Sequence, residues 1–206
     1  MIIGANTGPA IVADGTQNAP ARSDRLGALT VTELRARYAE NTRRGLRYQG
    51  ANQAAVTTTV GLATTYTGLV LANPLGSPVW LEIDKVGFAT LIVWPAAAAV
   101  GIMVGYNAST ALTSTTADGV YNANPALGAG YGQIFKAATL PTAPTLRKVL
   151  GAGLTGAITV TPETALVFDL EGSIVLPPGG YAAFYTSTVS PTTGFFGSIE
   201  WTEVPA

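Results

Sequence analysis

Phe195-Phe196-Gly197-Ser198-Ile199-Glu200-Trp201-Thr202-Glu203-Val204 decides the fold. Phe195, Gly197, Ile199 and Trp201 fall on one side of an extended chain; Ser198, Glu200 and Thr202 fall on the other. Successive side chains of a strand point to opposite faces, so this alternation marks a strand with one buried face. A slip of one residue would carry Glu200 into the core, so the pattern also sets the register. Working backward, residues 157–161, 165–170 and 173–176 read as short strands. Pro177-Pro178-Gly179-Gly180 is a turn, residues 181–186 return as a strand, and Ser190-Pro191-Thr192-Thr193-Gly194 is a loop.

The middle of the chain continues the theme. Thr57-Thr58-Thr59-Val60 and residues 65–71 are rich in β-branched and aromatic residues, and Asn73-Pro74-Leu75-Gly76 is a turn. In residues 79–88, Val79, Leu81, Ile83 and Lys85 share one face, with Trp80, Glu82, Asp84 and Val86 on the other. Neither face is uniformly apolar, and a β-bulge near Lys85 would account for the break. Residues 88–106 are uncharged and about long enough to span a bilayer. Pro95, four consecutive alanines and two glycines instead favour two buried strands joined at Pro95. Residues 107–157 are expected to form long loops serving an interface, with one or two strands near 132–136 and 146–150. With 24 glycines and 13 prolines, about eight short strands make an antiparallel, jelly-roll-like β-sandwich the expected fold.

The leading segment differs. Residues 1–28 have no sustained period and cannot bury enough apolar area to fold alone. Residues 29–49 are charge-rich. Thr32 is a candidate N-cap, Glu33 a first-turn acid, Leu34 and Tyr38 a narrow apolar stripe, and Gly45 a stop. An extended strand over 29–37 competes, and the reading taken is one short helix near 37–44. The expected division is an extended basic N-terminal arm, 1–50, and a sandwich domain, 51–206. The arm carries seven arginines against four acids, and the body four basic residues against eight acids. Opposite charge balance invites head-to-tail contact between copies. Overall net charge is -1, which gives nucleic acid no general attraction.

Residues 52–58 (Asn52-Gln53-Ala54-Ala55-Val56-Thr57-Thr58), residues 64–74, Leu176-Pro177-Pro178-Gly179-Gly180-Tyr181 and the ending from Phe196 to Pro205 resemble virion structural proteins of tailed phages. The resemblance spans most of residues 30–206. It implies a jelly-roll capsid cement (decoration) protein that forms homodimers or homotrimers on the head and clasps neighbouring major capsid subunits. It also implies a place on the phage head surface after assembly in a host cytoplasm. Its motifs fix no contact residue. A head-fibre or tail component binding host surface glycans is the alternative.

Chemistry has little material. The chain has no cysteine and no histidine, which removes disulfides, thiol chemistry, Ser-His-Asp and Cys-His arrangements, and His- or Cys-ligated metals. Carboxylate pairs for glycoside hydrolysis are Glu82/Asp84, Asp169/Glu171 and Glu200/Glu203, each read more simply as carboxylates that keep the outer face of a strand soluble. Gly151-Ala152-Gly153-Leu154-Thr155-Gly156 matches a dinucleotide fingerprint in letters only, since a strand-like run and Pro162 follow it where a helix is required. Asn107-Ala108-Ser109 fits a glycosylation sequon, and Met1-Ile2-Ile3-Gly4 does not open a secretory signal. Trp80, Trp94 and Trp201 are expected in the core. The expectation is therefore a non-enzymatic structural protein without cofactor, metal or membrane span. Its partner-binding candidates are Arg22, Arg25, Arg35, Arg37, Arg43, Arg44 and Arg47, whose guanidinium forks suit acidic patches on neighbouring subunits. Packaged-genome phosphates and a merely solvated face are the competing readings of these arginines.

Overall fold

The computed structural model describes residues 36–153 and 166–206, with the backbone alone of Ala5–Asn6, Ala21–Arg22, Thr115 and Gly153. The chain divides into two compact units, Met1–Glu40 and Asn41–Ala206. In the first, β1 (Ala5–Asn6) and β2 (Ala21–Arg22) pair in parallel. The second is the sandwich, and it starts earlier than residue 51 because Arg47–Ala51 is one of its strands.

A short helix, α1 (Ala39–Arg43), leads into it. Gly45 ends the helix at a φ of 72°, where glycine carries no Cβ penalty. Leu46 N–H donates to Asn41 C=O and Gly45 N–H to Thr42 C=O, the paired bonds of a Schellman stop. The strands that follow are β3 (Arg47–Ala51), β4 (Thr65–Ala72), β5 (Val79–Thr90), β6 (Ala98–Tyr106), β7 (Thr113–Asp118), β8 (Tyr121–Asn122) and β9 (Gln133–Thr139). They continue with β10 (Thr145–Gly153), β11 (Leu166–Asp169), β12 (Val175–Leu176), β13 (Gly180–Thr186) and β14 (Phe195–Pro205). One sheet has the order β10-β6-β13-β4-β9-β7; the other has β11-β5-β14-β3-β8, with β12 also paired to β5. Both sheets are antiparallel, and they pack face to face as an all-β sandwich.

The uncharged run 88–106 is the end of β5, a link through Pro95 and then β6, with Val93 and Trp94 buried in the link. No helix among the described residues is long and apolar enough to cross a membrane. Between 107 and 153 there are four strands, β7 to β10, more than the one or two expected. Thr113–Asp118 has no large apolar side chain to advertise it, and it is held as a strand by pairing with β9. The sequence-expected strand at 157–161 and the helix start at Thr32 lie outside the described residues.

β14 is the spine. Phe195, Ile199 and Trp201 are fully buried, as the alternation predicts, and the strand pairs with β5 from Phe195↔Thr90 to Pro205↔Val79. Between the sheets they join Leu69, Leu71, Leu81, Ile83, Val86, Ile102, Ala182 and Phe184. Phe195 stacks on Phe88 at 6.1 Å and meets Phe184 edge-on at 5.4 Å. On the first sheet the neighbouring positions are buried too: Tyr66, Val70, Met103, Phe135, Tyr181 and Ala183 form a second apolar layer on the opposite face. That double burial explains the near-continuous apolar run of β4. Trp94 and Trp201 are core residues, but Trp80 is exposed, because it alternates with the buried Leu81 and faces outward.

Candidate functional site

The suspected bulge is real, and it assembles charge. Glu200 pairs with Lys85 while Trp201 pairs with Ile83, so Asp84 is an extra residue in β5. The extra residue shifts the phase: Leu81 and Ile83 point inward before it, Val86 and Phe88 after it. It also turns the Asp84 carboxylate toward its neighbour β14 and the next strand, β3. Thr202 Oγ1 donates to Asp84 Oδ2 at 2.8 Å, and Arg47 Nε lies 3.5 Å from the same oxygen. Arg47 Nη2 donates to Glu200 Oε2 at 2.5 Å. Arg47, Asp84 and Thr202 are buried, and Glu200 is part-exposed. One guanidinium thus ties β3, β5 and β14 together through two carboxylates.

Glu203 obeys the same period-two rule as Trp201 and faces inward. Its carboxylate accepts the backbone N–H groups of Tyr131 at 3.1 Å and Gly132 at 2.9 Å, and the Trp201 indole N–H at 3.3 Å. A buried carboxylate with such donors is satisfied without a counter-ion. Gly132 is required there, since a Cβ would sit 2.9 Å from the Trp201 ring. Burial, and then the charge of Glu203, push the Tyr48 phenol above its ordinary value. Burial likewise raises Tyr181 and, most strongly, Tyr66, whose hydroxyl donates to the Phe184 carbonyl. These phenols keep their protons near neutral pH.

Several of the carboxylates suggested by the sequence are engaged by other groups. Asp84 turns to Arg47 and Thr202, and Asp169 lies 3.4 Å from Lys85. Glu171 sits in a turn at a φ of 53°. Glu200 and Glu203 point to opposite sides of β14. Surface depressions of about 420, 200 and 210 Å³ are each lined by at most one carboxylate. Among the described residues no group of three or more Asp, Glu, His or Cys could hold a metal ion. The fingerprint-like glycines Gly151 and Gly153 lie in strand β10, and the rest of that motif is outside the described residues. The Asn107 side chain accepts from Ser109 and Thr110 N–H in a local turn.

The arginine candidates among the described residues have different surroundings. Arg37 stands over the Tyr38 ring at 5.3 Å, and Arg43 and Arg44 are exposed around the end of α1. Arg47 is engaged inside its own sheet. The side chains of Arg22, Arg25 and Arg35 lie outside the described residues. The Arg47–Asp84–Glu200 group escaped the sequence reading, although the broken alternation of residues 79–88 was its trace. No protein-family model, curated protein or solved structure matches this chain.

Proposed function

We propose that the chain is a virion structural protein, a cement or decoration subunit that oligomerises on a phage head and clasps neighbouring major capsid subunits. One observation carries the reading. The sandwich turns its clustered charges inward and leaves large apolar side chains outward: Leu91, Tyr106, Tyr131, Val149 and Val167 are each more than half exposed. With only 11% charged residues in the chain, such a surface suits a subunit covered by its neighbours. The arginine-bearing leading unit, Met1–Glu40, supplies a second contact element, and contacts repeated by symmetry add through multivalency.

The test uses purified heads stripped of the protein. Full-length chain should rebind and raise the temperature at which heads rupture. Chain lacking residues 2–40 should stay folded, by circular dichroism, and lose most of the rebinding. Equal rebinding by both forms would remove the arm from the mechanism; no rebinding by full-length chain would remove the cement role.

A further inference from the structure

On the outer face of the second sheet, strand register sets three unlike side chains in a row. Tyr121 of β8 pairs directly with Gln49 of β3, and Gln49 pairs with Glu200 of β14. Residues directly opposite in an antiparallel pair project from the same face. Glu200 lies between the fully buried Ile199 and Trp201, so this row faces away from the core. The next row on the same face holds Ala51 and Ser198, which are also directly paired. Large side chains beside small ones leave a depression of about 210 Å³, which Gln53 also lines.

We propose that this depression binds one ring of a neutral saccharide. Tyr121 is 51% exposed, and its ring folds back over Gly119. A Cβ at Gly119 would lie 2.5 Å from Tyr121 Oη and 2.7 Å from Cε2, so the bare glycine is what lets the ring settle there. A ring held in this way offers its surface to the C–H face of a sugar with little ordering left to do. Beside it stand groups that match hydroxyls, which both donate and accept. The Gln49 amide supplies both functions. Gln53 Nε2 donates to the Ala51 carbonyl at 3.1 Å, which leaves its own amide oxygen as an acceptor. Ser198 Oγ makes only a long bond, 3.4 Å, to the Gly87 carbonyl. Glu200 commits Oε2 to Arg47, which orients the carboxylate and leaves its other oxygen as an acceptor. Charge decides against the rivals. Among the described residues one carboxylate and no lysine or arginine line the depression, so a phosphate or carboxylate ligand would meet repulsion. An aliphatic ligand would strip water from the amides and the carboxylate without replacing it. The volume is below the range of about 300–1,000 Å³ usual for drug-sized ligands, which limits the occupant to a single ring.

The test titrates the methyl glycosides of glucose, galactose, mannose and N-acetylglucosamine through the millimolar range against isotope-labelled full-length chain. At least one should shift the backbone amides of residues 49–53, 119–121 and 198–200 saturably, with a dissociation constant of about a millimolar. Tyr121→Ala should weaken that binding about tenfold. Gln49→Ala should weaken it about fivefold. Both variants should keep the native circular dichroism spectrum, and Tyr121→Phe should retain binding. Inorganic phosphate should leave the same amides in place. No saturable shift with any glycoside, shifts centred elsewhere on the sandwich, tighter binding of phosphate, or equal binding by Tyr121→Ala would overturn the proposal. Sugar binding and head rebinding are measured apart, and neither result decides the other.

Discussion

Arg47 has almost no exposed surface and pairs with Asp84 and Glu200, so its removal takes a cation away from the buried Asp84. Breaking a buried pair from one side costs about 3–5 kcal/mol, much of it the desolvation of the abandoned charge. Arg47→Ala should lower unfolding stability by about that amount in a urea titration, and a loss below about 1 kcal/mol would show the pair to be peripheral. Tyr66 gives a pH signature. Burial raises its folded-state pKa above the unfolded value near 10. Its contribution is therefore complete below about pH 10 and falls as the pH rises further, because only the unfolded chain releases the proton. Stability should drop above about pH 10, and Tyr66→Phe should flatten that drop; an identical alkaline profile in the variant would contradict this assignment.

At the scale of elements, β14 was legible because one strand with one buried face repeats its rule for its whole length. β5 was half legible. Its alternation fails at Asp84, which announces a bulge, but the sequence does not say which strands the displaced carboxylate will meet. β7 was not legible, since threonine and alanine at an edge carry no large apolar signal. Close approach is equally hidden: a Cβ on Gly101 of β6 would lie 2.5 Å from the Lys148 carbonyl of β10. Backbone cannot give way as a flexible side chain does. Gly101→Ala should cost about 1–3 kcal/mol and speed amide exchange in β10 more than in β13; uniform exchange would argue against a local wedge.

For the whole molecule, the sandwich class followed from turn spacing and alternation, while the boundary between arm and body did not. The seven arginines suggested one basic segment, yet Arg47 belongs to the sandwich sheet and pairs within it. Charge along the chain reports composition, and only pairing across strands reveals which charges are already satisfied. Large apolar side chains also stay outward, spread over edges and loops, which makes association, rather than a cleft, the property to measure. The most direct measurement is an electron cryo-microscopy map of intact particles carrying this chain, with its copies counted and placed. The account predicts sandwich density repeated across the head lattice, bridging neighbouring capsid subunits. A few copies confined to the tail, or none on the particle, would contradict it.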